Sequence, residues 1–123
     1  MFTFTDDTAR EIFKYTKANP RKSRESVWSF GFTKEPPRHI FSLSKMFIAV
    51  PGVSYGFTMK PTEEPLRFIV SFFERRGDED MRNLGDEVHH VAKIDDVPTV
   101  IANAAHKTRE LANAIRLEAG LPV

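Results

Sequence analysis

The chain has 123 residues, of which 41% are hydrophobic and 28% are charged, and its formal net charge is +1. This size suits one domain with its own apolar core, and the composition excludes an intrinsically disordered chain. Because the sequence contains no cysteine, disulfides, thiol nucleophiles and thiolate metal sites are excluded. We therefore expect a single domain over residues 1–123.

The sequence carries no apolar run near the roughly 20 residues that cross a bilayer, and its first residues lack the basic and apolar regions of a secretory signal. We expect a cytoplasmic protein with no membrane contact. The charge is unevenly divided, since residues 1–60 carry ten Lys/Arg against five Asp/Glu, whereas residues 61–123 carry eight against twelve. Whether this division persists in space depends on the fold.

The first predicted element is a helix that opens at Asp6 or Asp7, where residues 8–11 have the capping-box pattern. Its apolar face holds Ala9, Ile12, Phe13 and Thr16 at helical spacing. Asn19-Pro20 ends the helix, because proline disfavours helical geometry in the residue before it.

Residues 26–33 are predicted to form a strand, with Trp28, Phe30 and Phe32 alternating onto one side. Residues 39–50 are ambiguous. Ile40, Leu43, Phe47 and Val50 suit a helix, whereas the local content of Phe, Ile and Val suits a strand. The helical pattern is the more complete, so we predict a helix there.

Residues 53–60 and 66–74 are predicted to form a strand pair. Both faces of the second strand are apolar, which predicts a central strand covered on both sides. Met81, Leu84, Val88 and Val91 then recur at helical spacing and predict a short helix.

A long helix capped by Asp96 is the clearest element, with Pro98 in its first turn and Gly120 and Pro122 past its end. Its apolar positions form a heptad seam, namely Val97, Ile101, Ala104, Thr108, Leu111 and Ile115. This seam either covers the domain's own sheet or supports self-association through the helix Val97–Glu118.

The predicted fold class is therefore α+β, with a small antiparallel sheet packed by N-terminal and C-terminal helices. Residues 26–33, 53–60 and 66–74 supply the sheet, with residues 2–5 as an optional further strand. Layers on either side of the sheet are expected, because one strand is apolar on both faces.

Six cations fall within fifteen residues, three on one face of the first helix and three in the loop after it: Arg10, Lys14, Lys17, Arg21, Lys22 and Arg24. Such a group neutralises phosphates or meets an acidic protein surface, and Trp28 soon after it is a candidate stacking platform. The alternative is structural, since cations near a helix C-terminus complement its dipole and Trp28 suits a core.

Glu87 and His90 form Glu-x-x-His, and Asp86 and His90 are four residues apart, so either pair presents metal ligands on one helical face. No second copy of the motif is present, so we predict no metal and no cofactor. The sequence also lacks Gly-x-Ser-x-Gly, phosphate-binding glycine loops and His-Glu-x-x-His. We therefore predict a protein that is not an enzyme.

We predict a non-catalytic binding or regulatory protein that acts by protein–protein contact, such as a small inhibitor or adaptor of the kind that phages and mobile elements encode. Its partner would be a protein with an acidic surface. The alternative is direct binding of DNA or RNA through the basic helix and loop.

Overall fold

The structure is a computed structural model that describes residues 1–123. In chain order the elements are α1 (Asp6–Ala18), β1 (Ser29–Phe32), β2 (Ile40–Val50), β3 (Val53–Pro61), β4 (Arg67–Arg76), β5 (Arg82–His90) and α2 (Val97–Glu118). All five strands form one antiparallel sheet in the order β1-β2-β3-β4-β5, and a 3-10 turn, Ile94–Asp96, leads into α2. The predicted α+β class, with a helix from each end of the chain, is confirmed.

Both helices pack on the same face of the sheet. α2 lies across β2 and β3, and α1 contacts α2 and the turn before it. The centre of this layer is Phe57, which is fully buried on β3. The buried side chains from the neighbouring strands form one cluster with those of the helices: Ile12, Leu43, Phe47, Met59, Phe68, Val70, Phe72, Val97, Ile101 and Ala104. Burial of these side chains supplies most of the driving force for folding.

No helix covers the other face of the sheet, which we call the open face. Register and alternation assign to it the following side chains: Ser44, Met46, Ile48, Ser54, Gly56, Thr58, Lys60, Ile69, Ser71, Phe73, Arg75, Asn83, Asp86 and Val88. The prediction that β4 is covered on both sides was wrong. Its residues Phe68, Val70 and Phe72 face the helices, but Ile69 is exposed.

An aromatic ring supplies part of the missing cover on the open face. Phe73 lies across Gly56 of the neighbouring strand, so closely that a Cβ atom at Gly56 would overlap the ring. The same Cβ would also lie only 2.9 Å from the carbonyl oxygen of Lys45. Glycine is therefore required at position 56 by the close approach of its neighbours.

Residues 40–50 form a strand, so the predicted helix there was wrong. The helix-facing positions of β2 are Leu43, Lys45, Phe47 and Ala49, and the charge at Lys45 hides the alternation from a hydropathy pattern. The pairing also shifts between Gly31 and Phe32, which displaces Ile40 from the alternation. β propensity and pairing with β1 and β3 outweighed the apparent helical period.

Residues 82–90 also form a strand where a helix was predicted. The register with β4 shifts so that Phe72 faces Gly85 while Phe73 faces Asn83, which leaves Leu84 as an unpaired bulge residue. Gly85 has φ 148, a conformation that other residues rarely adopt. The spacing of three and four residues was not a helical period, because it combined Leu84 at the bulge and Val88 within the strand with Met81 and Val91, which lie outside the strand.

The ends of the chain differ from the predictions only locally. The helix begins at Asp6, as predicted, but its N-cap is Thr5, whose side chain accepts a hydrogen bond from the Thr8 backbone at 3.3 Å, so the capping box predicted at residues 8–11 was wrong. Residues 2–5 form no strand, although the Phe4 backbone donates to Ile40 at 3.0 Å. Asn19 ends α1 and Asp96 precedes α2, as predicted.

Candidate interaction surface

Three cations form a row along the exposed side of α1, and we call Arg10, Lys14 and Lys17 the basic stripe. Their spacing of four and three residues places them on one helical face. Arg10 pairs with Asp7 at 3.2 Å, but both side chains are 74% exposed, where such a pair is strongly screened. Lys14 and Lys17 pair with no carboxylate. The stripe is therefore a positive surface.

The loop after α1 runs along the part of β2 that β1 does not cover and is held there by backbone hydrogen bonds. The Ile48 N–H donates to the Arg24 carbonyl at 2.8 Å, and the Ser26 N–H donates to the Met46 carbonyl at 2.9 Å. Arg24 adopts a positive φ of 65, so the chain turns sharply before it joins the sheet. The loop is therefore a fixed part of the surface, and it continues the line of β1 along β2.

The structure does not bring the six predicted cations into one cluster. Lys22 and Arg24 line a depression of about 200 Å³ together with Arg109 of α2. Arg21 lines a different one, of about 420 Å³, together with Arg75 on the open face. The loop thus divides its charges between the two sides of the sheet edge, and each group gains an arginine from a distant part of the chain.

A buried ion cluster fixes this loop. The Glu25 carboxylate contacts the Lys45 Nζ and an Arg109 nitrogen, each at 3.2 Å, and accepts a hydrogen bond from the Lys22 backbone at the same distance. Burial opposes ionisation, but these hydrogen bonds together outweigh it and lower the pKa of Glu25 below its usual range. Glu25 stays ionised at neutral pH and holds the loop against β2 and α2.

Trp28 is engaged inside the domain. Its indole Nε1 donates to the Asn19 carbonyl at 2.7 Å, its ring meets Tyr15 edge-on with 5.9 Å between centroids, and the Lys45 Nζ lies 4.2 Å from its ring centre. The indole N–H of Trp28 is thus used in a hydrogen bond and the face of its ring in a cation–π contact with Lys45. They favour the structural role for Trp28 over the predicted role in stacking.

A different aromatic residue accompanies the basic stripe. Phe13 is 45% exposed and its ring lies 5.1 Å from that of Phe30, which in turn lies 6.3 Å from the ring of the exposed Phe32. At 100° per residue, position 13 lies about 40° around the helix from Lys17 and about 60° from Arg10, so Phe13 borders the basic stripe. Sequence reasoning assigned Phe13 to the buried face, although its place at the margin between that face and the cations was the available signal.

Histidines near the acids of β5 do not form a metal-binding group. Because β5 is a strand, successive side chains alternate between faces, so Glu87 and His90 point to opposite sides of the sheet. Glu87 contacts His89 at 3.1 Å and Lys107 of α2 at 2.7 Å. No three His, Asp or Glu side chains converge in an arrangement suited to a metal ion.

The second buried acid, Glu74, is held by a tyrosine hydroxyl and two arginines. The Tyr55 hydroxyl donates to Glu74 at 2.7 Å, and Arg76 and Arg82 approach the same carboxylate at 3.1 and 3.3 Å. The hydrogen bonds from Arg76 and Tyr55 lower the pKa of Glu74, while burial and the Glu74 charge raise that of Tyr55. Both shifts move the groups away from the neutral range in which proton transfer is efficient.

The division of charge in the sequence does not separate the two edges of the sheet, although the strand order follows the chain. Residues 61–96, which include β4 and β5, carry ten Asp/Glu against five Lys/Arg. The two strands themselves carry four Arg against three Asp/Glu, and the excess acids lie in the loops around them: Glu63, Glu64, Asp78, Glu79, Asp80, Asp95 and Asp96.

Comparison of the chain with known protein families, with curated proteins and with solved structures finds no match. None of its helices combines the length and the apolar character that crossing a membrane requires.

Proposed function

We propose that this protein is a non-catalytic binding protein that engages an acidic surface of another protein through the basic stripe and Phe13. The supporting observation is that Lys14 and Lys17 lie exposed and without carboxylate partners on a helical face that the half-exposed ring of Phe13 borders. Small inhibitors and adaptors, including those of phages and mobile elements, are the class of protein that this proposal describes.

The proposed surface has the composition of a protein interface. Interfaces place aromatic residues at a desolvated centre and charged residues at a solvated rim. Phe13 and Phe32 supply the apolar centre, and the lysines supply the rim. Charges in a rim act mainly on the association rate and on the choice of partner, so an acidic partner is favoured.

Direct binding of DNA or RNA is the second candidate. It is favoured by the cations that the fold adds beyond the stripe, since Arg75 and Arg109 lie beside the three loop cations. Binding that neutralises several phosphates falls by orders of magnitude between about 50 and 200 mM salt. A protein interface with an apolar centre weakens much less over the same range.

The test is affinity capture from the native host with and without nuclease, using the wild type and the double variant Lys14→Glu with Lys17→Glu. We expect to capture a partner that persists after nuclease treatment and is lost with the double variant. The two lysines attract an acidic surface, and glutamates in their place would repel it. The free energy of unfolding of the variant should lie within about 0.5 kcal/mol of that of the wild type, since exposed charges contribute little to stability.

The matched control changes Lys60 and Lys93 to glutamate, which alters net charge equally at two exposed lysines outside the stripe. Retained binding in this control shows that position matters rather than total charge. Binding that survives in the stripe variant contradicts the proposal. Capture that disappears with nuclease and falls steeply with salt supports the nucleic-acid alternative instead.

A further inference from the structure

The outer edge of β5 has no partner strand. β5 is the last strand of the sheet, nine residues long, and only Glu87 and His89 in it are shielded even in part. Such an edge presents unpaired N–H and C=O groups and is a template for a further strand.

The residues that present these groups follow from the hydrogen-bond pattern. The Val91 N–H donates to the Leu66 carbonyl at 2.9 Å, and in an antiparallel pair the bonded positions recur every second residue. Residues 85, 87 and 89 therefore direct their backbone groups towards β4. Asp86, Val88 and His90 direct theirs outward, where nothing in the chain meets them.

The two halves of β5 differ as edges. The first half contains the bulge at Leu84 and Gly85, a device that twists an edge away from pairing. The second half pairs regularly with β4 from Asp86 to His90. An incoming strand would therefore meet a regular, five-residue segment.

We propose that β5 of a second copy of this chain pairs antiparallel with this segment about a two-fold axis at Val88. In this register Val88 faces the partner's Val88, Asp86 faces the partner's His90, and Glu87 faces the partner's His89. Each acid thus meets an imidazole on the same face, which is a favourable cross-strand pair. Outward-facing backbone groups meet outward-facing backbone groups, as an antiparallel ladder requires.

Other self-pairings of the strand lack this complementarity. Centring the pair on Asp86 or Glu87 sets two carboxylates directly opposite each other, which is destabilising. Centring it on His90 sets Val88 opposite residue 92, beyond the end of the strand. The register centred on Val88 is therefore the one that the sequence of β5 favours.

The two-fold axis lies perpendicular to the sheet, so the helices of both copies remain on one side and the open faces on the other. Val88 is 58% exposed and is paired on its inner side with Ile69, another exposed residue of the open face. In the dimer these residues form a continuous apolar row with the partner's Val88 and the partner's Ile69. This row adds apolar burial to the backbone hydrogen bonds.

The experiment is analytical ultracentrifugation of the full chain over a wide concentration range. The wild type is expected to dimerise as concentration rises. Val88→Lys places like charges at the axis and should weaken the dimer by about tenfold or more, while the unfolding midpoint stays unchanged at a protein concentration where both proteins are monomeric. Ile48→Lys is the matched control, because Ile48 is an exposed β-branched residue of the open face, 47% exposed and on β2. It should dimerise normally.

A charge exchange tests the register. Asp86→Lys should weaken the dimer, and adding His90→Glu should restore it, since the two new charges again meet across the axis. A wild type that stays monomeric throughout overturns the proposal, as does a Val88→Lys variant that dimerises like the wild type. If Ile48→Lys weakens the dimer as much as Val88→Lys does, the contact lies on the open face and the proposal is wrong. If adding His90→Glu does not restore the dimer that Asp86→Lys weakens, the proposed register is wrong.

Discussion

Glu25 and Lys45 form an ion pair that is almost entirely removed from water, with side-chain exposures of 6% and 2%. The two residues are twenty positions apart, one in a polar loop and one on a strand. Removing one member of a buried pair leaves the other charge without compensation, whereas removing a solvated pair costs little. The loop cations Lys22 and Arg24, on either side of Glu25 in the chain, depend on this contact for their position.

We expect Glu25→Gln to destabilise the protein by about 3–5 kcal/mol, because it leaves the Lys45 ammonium buried and uncompensated. Urea unfolding measures the change. Glu64→Gln is the control, since Glu64 pairs with Arg67 at 3.2 Å but is 51% exposed. A loss no larger than that of the control would show that water reaches the Lys45 site.

Stability is expected to fall in acid because Glu25 and Glu74 both have lowered pKa values. Their contribution is full above the ordinary glutamate pKa of 4.5 and is lost as pH falls through their lower folded pKa values. Urea unfolding measured from neutral pH downward should show this decline. Glu74→Gln should make the decline shallower, and an unchanged pH profile in that variant would contradict the assignment.

At the scale of elements, the sequence correctly predicted the helices and strands whose apolar residues recur at an uninterrupted spacing. The two long helices were found because their apolar spacing and their end signals agree. β2 and β5 were mistaken for helices because a buried lysine and a bulge each interrupt the two-residue alternation. Pairing between distant strands decides such cases, and it leaves no mark within a short window of sequence.

The heptad seam of α2 is used within the domain. Val97, Ile101, Ala104 and Thr108 are buried under the sheet, and Leu111 and Ile115 pack against the same core. Of the two uses that the pattern allows, the structure accounts for covering the domain's own sheet. Self-association through this helix would have to use other residues.

Leu111→Asp is expected to destabilise the domain by about 2 kcal/mol or more, because it places a charge against the apolar core. Leu117→Asp, on the same helix but at a residue that is 64% exposed, should have little effect. Thermal unfolding together with the solution mass separates the possibilities. If Leu111→Asp keeps the melting temperature of the wild type but lowers the mass of the species in solution, the heptad seam is an interface between copies of the chain and not part of the core.

At the scale of the whole molecule, the α+β class and the two terminal helices followed from the sequence, but the single-sided arrangement did not. Apolar residues on both faces of β4 suggested two covering layers, whereas the outer face is bare and partly shielded by Phe73 over Gly56. The candidate surface was predicted in part. The spacing of Arg10, Lys14 and Lys17 identified the stripe, but Arg75 and Arg109 join the loop cations only through the fold.

The place of α2 after the sheet in chain order has a consequence for synthesis. All five strands precede it, and each pairs with its neighbour in the chain, with only Pro51 and Gly52 between β2 and β3. The helix that covers β2 and β3 is made after the whole sheet and carries seven buried residues. Until it leaves the ribosome, a nearly complete sheet would display a continuous apolar face, the state in which a nascent chain is most prone to aggregate.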